Sequence, residues 1–192
     1  ESGIPTGEII DRAVAHRTGV RHRTTHIWIV RKRNEKVEIL LQKRAKHKDS
    51  FPGCYDISSA GHIPAGVDFV SSGLRELEEE LGFTISPDEL IECGLHCIFA
   101  ENEFHGIPYV DNQVAKVFLL WKDKEVEELT LQEEEIESAM WMDFEGVIEM
   151  ARPVLESEEP AVVAQLDEYM PMYEGASMVS DLTFKDGQTV LQ

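Results

Sequence analysis

The sequence predicts an α/β fold: helices layered on both faces of a mixed β-sheet, an α/β/α sandwich. Three observations predict it. Short apolar, β-branched runs at His26 to Val30, Val37 to Gln42, Ile91 to Ala100, Asp111 to Trp121 and Ala139 to Met142 read as strands. Between them lies one segment with helical periodicity and a signal at each end, and a further helical pattern follows the last strand. At 192 residues the chain is long enough for one domain with a sizeable core and too short for two, so residues 1–192 are read as a single domain.

Residues 1–21 set Pro5, Gly7 and Gly19 around a short amphipathic piece, Ile9 to Val14, and are expected to form an irregular or hairpin-like lead-in. The first two strands, joined by the polar turn Arg33-Asn34-Glu35-Lys36, make a hairpin. The basic cluster Lys43-Arg44-Ala45-Lys46-His47-Lys48 follows in an otherwise acidic chain. A charge run is usually a solvated loop. This one precedes the turn Ser50-Phe51-Pro52-Gly53-Cys54-Tyr55-Asp56, which feeds Ile57 to Ala60 into the helical segment, so a share in gripping phosphates is equally open.

That segment, Gly61 to Phe83, holds the chemistry. Val70, Leu74, Leu77 and Leu81 recur at helical spacing and point to a core, while Glu76, Glu79 and Glu80 share the neighbouring stripe. Asp68 is placed to cap the helix and Gly82 to stop it in a left-handed turn. Like charges at this spacing destabilise a helix by about 0.2–0.5 kcal/mol per pair. Arg75 can reach Glu79 one turn on, and the remaining negative oxygen suits a hard divalent cation.

The stretch resembles the Nudix box, Gly-x5-Glu-x7-Arg-Glu-U-x-Glu-Glu-x-Gly-U with U a bulky aliphatic or aromatic residue. Gly61, Arg75, Glu76, Leu77, Glu79, Glu80, Gly82 and Phe83 match at the required spacing; Val67 stands where the pattern has its first glutamate, with Asp68 beside it as a substitute. The resemblance implies the Nudix fold and attack of water on phosphorus to split a diphosphate bond. It also implies Mg²⁺, with Mn²⁺ as the alternative, held by Glu76, Glu79, Glu80 and a backbone carbonyl at Ala60 or Gly61. Arg75 and the two later glutamates belong to the catalytic set. A general base comes from the same box or from a downstream loop, and in the acidic run Glu133-Glu134-Glu135 the choice falls on Glu135, with Glu134 and Glu133 open. Gly61 and His62 would wrap the diphosphate, and Phe51, Tyr55, Phe104 and Tyr109 would stack a base, line an apolar pocket, or simply pack.

A second resemblance is to the type I isopentenyl diphosphate isomerases, which share that fold. Thr6-Gly7, His16, His22, Trp28, Phe51-Pro52-Gly53 and Gly61-His62 carry it. It implies a metal held by His16, His22 and His62. The isomerase's catalytic cysteine falls on Ala60, and its acidic pair falls on Asp111 and Gln113, so a thiol and one carboxylate are missing. The expected activity is therefore Mg²⁺-dependent hydrolysis of a nucleoside diphosphate derivative or related organic diphosphate. The alternatives are an isomerase-type enzyme and a domain that binds a diphosphate metabolite without cleaving it.

After the box, Ile85 to Leu90 form a polar turn. Cys93 and Cys97 are about 13 Å apart along an extended strand and are no zinc pair. Glu125 to Glu137 is acidic and Phe144 to Ala151 helical. Pro153 and Pro160 bracket a linker, Ala161 to Tyr169 reads as a helix, and Gly175 to Gln192 as a weakly structured tail, so a C-terminal helix and tail occupy 158–192. Lys and Arg number 18 against 37 Asp and Glu, a net charge of -19, which repels a nucleic-acid backbone or an anionic membrane. The partner expected is a small diphosphate, and a homodimer is an allowed assembly. No run reads as a membrane span or signal peptide, and three cysteines, Cys54, Cys93 and Cys97, give no disulfide framework, which fits a reducing cytoplasm.

Overall fold

The computed structural model describes residues 2–149. The linker, helix and tail expected from Pro153 onward lie outside them. Strands β1 (His22–Arg33), β2 (Lys36–Arg44), β3 (Tyr55–Asp56), β4 (Ser59–His62), β5 (Ile91–Phe104), β6 (Ile107–Trp121) and β7 (Ile136–Asp143) build one sheet. Its main order is β3-β2-β1-β6-β5, with β4 on β1 and β7 on β2. β1 and β6 run parallel, Thr24 beside Ala115 and Ile27 beside Phe118, and the other pairs are antiparallel, so the sheet is mixed. One edge of β1 is shared, β4 pairing Thr24 to Ile27 and β2 pairing Val30 to Arg33. At the change-over Ser58 closes the gap. Its hydroxyl accepts from the Ile29 amide at 2.8 Å and donates to the Leu40 carbonyl at 2.6 Å.

Alternation along the strands separates two cores. Ile27, Ile29, Leu40, Phe118 and Leu120 pack under Leu77 and Leu81 of helix α2 (Phe69–Leu81), with Val70 and Leu74 against the same cluster. On the other face Trp28, Val30, Ile39, Leu41 and Val117 pack with Met142, Phe144 and Val147, the last two from the helical segment 144–149. Helix α2 has the predicted bounds. Asp68 accepts from the Ser71 amide at 2.8 Å, and Gly82 turns the chain at φ 70, where a Cβ would stand 2.7 Å from that of Thr130. No helix among the described residues is long and apolar enough to cross a membrane.

The lead-in corrects the sequence reading. Residues 12–18 form a helix, α1 (Arg12–Thr18), capped by Asp11 and stopped by Gly19 at φ 71, and α1 packs on β6. The apolar piece at Ile9 and Ile10 is instead exposed. Two turns of helix with a single buried stripe, Ala15 and His16, are too short for periodicity to register. Cys93 and Cys97 both lie on β5, and no disulfide joins any two of Cys54, Cys93 and Cys97.

Candidate active site

Strand ends and α2 enclose a cavity of about 360 Å³. Its floor is polar sheet: Thr24 and His26 of β1, Gln42 and Arg44 of β2, Asp56 of β3, Asp111 and Gln113 of β6. One wall is α2 with Arg75, Glu76, Glu79 and Glu80. Ala60, Gly61 and His62 lead into that wall, and Glu135 closes the site from the loop before β7.

The three box glutamates differ in environment. Glu80 is buried, 6% exposed, and accepts from the Ser59 hydroxyl at 2.6 Å. Burial, with the charges of Glu76, Asp56 and Glu135 added, pushes its carboxyl up to about 8 against the Ser59 bond. Glu76 is also raised, by burial and then by Glu79 and Glu135, with Arg75 opposing. Glu79 stands half exposed at the rim, where Arg75 donates to it at 2.6 Å and to Glu76 at 2.5 Å. Gly61 lets Glu76 in, because a Cβ there would meet its carboxyl carbon at 2.2 Å.

Asp68 does not replace the missing box glutamate. Its carboxylate is engaged by the amide and hydroxyl of Ser71, at 2.8 and 2.7 Å. The loop at Val67 is held instead by Arg23 of β1, which donates to the Val67 carbonyl at 3.1 Å, and by the Val67 amide donating to Pro64.

Of the downstream acids Glu135 lines the cavity, and Glu133 and Glu134 do not. Glu135 is ion-paired with Lys48. Phe51 lines the cavity from a left-handed backbone at φ 48, with its ring edge-to-face on Phe104 at 4.8 Å; Phe104 in turn lies 5.3 Å from Tyr109. Tyr55 is placed elsewhere. As part of a two-residue strand it packs on the second core cluster, so it is not a cavity residue. Arg12, Asp56 and Gln42 also line the cavity without having been assigned there from sequence; Arg12 stands one helical turn before His16, a signal that needed α1 to be read first.

The structure brings His16, His22 and His62 together, with ligand atoms within 4.8 Å of one another. The Val110 carbonyl, 3.3 Å from His16 Nδ1, and the Val20 carbonyl, 3.0 Å from His22 Nδ1, can only accept, so both imidazoles turn Nε2 lone pairs inward. His16 Nε2 meets His62 Nε2 at 2.9 Å, and His22 Nε2 is buried without a partner among the described residues. Burial, then the neighbouring cations, hold His16 down at about 4 and His62 at about 2. Three ring nitrogens converging on one point are, once deprotonated, a donor set for a transition metal. The carboxylates of α2 are a donor set for a hard one. Beside the cluster, Gln113 accepts from Thr24 at 2.8 Å and donates to Asp111, so the pair holds one carboxylate.

The NUDIX domain family matches residues 20–166. The chain belongs to the Nudix family. An uncharacterised Nudix hydrolase of Clostridium acetobutylicum is 37% identical over 65% of this chain, and the match spans 58% of that relative's own length. An isopentenyl-diphosphate Delta-isomerase of Escherichia coli is 27% identical over 76% of this chain and 75% of its own. Among solved structures, a MutT protein from Methanosarcina mazei superposes with a TM-score of 0.51 at 17% identity, over 78% of this chain and 91% of that one. That likeness is one of fold. The Nudix box thus sits where its residues face a common cavity.

Proposed function

We propose that this chain is a Mg²⁺-dependent Nudix hydrolase that cleaves the diphosphate bond of a nucleoside diphosphate derivative or related organic diphosphate. One observation carries the reading: Glu76, Glu79, Glu80 and Glu135 face a cavity that also presents Arg12, Arg44 and Lys48. Such a site holds negative oxygen for cations on one side and cations for phosphate on the other. Glu76, Glu79, Glu80 and the Ala60 carbonyl would hold Mg²⁺, with Mn²⁺ able to replace it. Two carboxyls with raised proton affinity, one buried beneath the other, fit a site that is completed by positive charge. When bound, the metal neutralises phosphate oxygens and lowers the pKa of water.

The chain's own groups supply the rest. Arg44 is fixed by Asp56 at 3.1 Å and by the Ser50 carbonyl at 3.0 Å, which holds its guanidinium in the cavity lining, where it would meet a phosphate. Arg12 has no ion pair among the described residues and is available to the same anion. Glu135 accepts the proton of the attacking water. Phe51 and Tyr109 line the same cavity and would contact the group beyond the diphosphate, while Gly61 and His62 would contact the diphosphate itself.

The test is a panel of nucleoside diphosphate derivatives and other organic diphosphates with Mg²⁺, read by phosphate release with and without added phosphatase. Turnover of at least one member is expected. Tight binding of a member with no turnover of any would mark a diphosphate-binding domain instead.

A second reading, an isomerase-type enzyme, is favoured by the histidine cluster and disfavoured at two places in the same cavity. Ala60 has no thiol, and Gln113 cannot exchange a proton as a carboxylate does. We take residues 1–192 as one Nudix domain and place it in the cytoplasm, where a chain whose three cysteines form no disulfide with one another fits a reducing setting.

A further inference from the structure

Two of the cavity's cations are fixed and a third is poised to exchange partners. Arg44 is tied to a buried carboxylate and a carbonyl, and Arg75 bridges Glu76 and Glu79. Lys48 is different. Its ammonium has a flexible stem and freely rotating donors, and it is paired with one group, the Glu135 carboxylate.

The backbone presets that pair. The Ala45 amide donates to the Glu135 carbonyl at 2.9 Å, and the Ala45 carbonyl accepts from the Lys48 amide at 3.1 Å. Both residues are therefore pinned by their backbones to one buried residue just after β2. The Glu135 amide donates to Gln132 at 2.9 Å, which holds its main chain while its side chain, 38% exposed, stays free to swing.

The surroundings make the pair exchangeable. Glu135 adds to the negative field felt by Glu76 and Glu80, and Lys48 is its ion-pair partner. A phosphate brings more charge and more acceptor oxygens than one carboxylate, so it competes for the same ammonium. We propose that Lys48 is a phosphate-responsive restraint on Glu135: it pairs with that carboxylate until a substrate phosphate takes it over, which releases Glu135 to act as base. This rests on the hydrolase reading and adds a positioning residue to it.

Ground-state binding tests the exchange without requiring turnover. Methylenediphosphonate, which resists hydrolysis, is titrated with Mg²⁺ into wild type, Glu135→Gln, Lys48→Met, the double variant and Glu134→Gln, each checked for an unchanged melting profile. Releasing Lys48 from its carboxylate should tighten binding in Glu135→Gln by about two- to fivefold, the worth of a partly exposed ion pair. The gain should vanish in the double variant, and Glu134→Gln, which removes a nearby charge that Lys48 does not touch, should match wild type. Equal affinity of wild type and Glu135→Gln would overturn the proposal. So would a gain that persists without Lys48, or no binding by any form. Failure of the hydrolase reading shows up separately, as binding without turnover across the substrate panel.

Discussion

Gly61 lies against Glu76 so closely that any side chain at residue 61 would occupy the place of the Glu76 carboxyl. The box glycine and the box glutamate are thus one steric unit. The clash is with the far end of a flexible side chain, so the fold tolerates a Cβ there while the carboxylate cannot keep its position. Gly61→Ala should melt within a few degrees of wild type and lose about 10²-fold or more in kcat/KM, the usual effect of a displaced catalytic group.

Glu80→Gln separates catalysis from stability. The Ser59 hydroxyl can still donate to the side-chain oxygen, and the buried negative charge disappears. Diphosphate turnover should fall by orders of magnitude, whereas the metal-free variant should melt higher than wild type at pH 9. Unchanged turnover at saturating Mg²⁺ would remove Glu80 from the metal site.

Stability should depend on pH in two windows. Glu80 is raised from 4.5 to about 8, so the folded chain binds the extra proton, and this contribution is full below pH 4.5 and lost as pH rises through 8. His16 and His62 are lowered from 6.5, so their contribution is present above 6.5 and lost as pH falls, through about 4 for His16 and toward 2 for His62. Metal-free melting temperatures from pH 3 to 9 should therefore fall off on both sides. Added Mg²⁺ should raise the melting temperature more at pH 9 than at pH 6, since it needs the ionised carboxylate; an equal shift at both would contradict the placement.

Arg12→Ala should raise KM for a diphosphate roughly tenfold, the worth of a charged hydrogen bond, and leave kcat nearly unchanged. A fall in kcat with constant KM would place Arg12 at the transition state instead of at the bound phosphate.

Isomerisation of isopentenyl diphosphate should be absent in the wild type with Mg²⁺ and Zn²⁺. Restoring both groups, Ala60→Cys with Gln113→Glu, supplies a thiol and a second carboxylate next to the histidine cluster. Gain of the dimethylallyl isomer there would show that His16, His22 and His62 form a working metal site; the isomer at enzymatic rates in wild type would replace the hydrolase reading.

Sequence made some of this legible and hid the rest for physical reasons. Helix α2 could be read to the residue because cap, stop and core stripe are all local signals, as Asp68, Gly82 and Leu77 show. The β1–β2 hairpin was visible from its turn, where Asn34 and Glu35 adopt φ 48 and 64. Which glutamate of the 133–135 run faces the cavity depends on the Ala45 contact, ninety residues away in the chain, and no local pattern carries it. The burial of Glu80 was hidden in the same way. On the helix stripe it looks like Glu79, and the difference comes from Ser59 of β4 lying over it.

β1 is paired along both edges, by β4 and β2 on one side and β6 on the other, with Ser58 bridging the change-over. Its amides cannot meet solvent until the whole sheet comes apart, whereas β5 pairs, among the described residues, with β6 alone and can open by itself. Hydrogen–deuterium exchange should accordingly be slowest at Ile27 to Val30, at the rate of global unfolding, and markedly faster along Leu95 to Phe99. Leu77→Ala, which removes core beneath α2 at a cost of about 2–5 kcal/mol, should speed exchange of the β1 amides by the full equivalent of that loss.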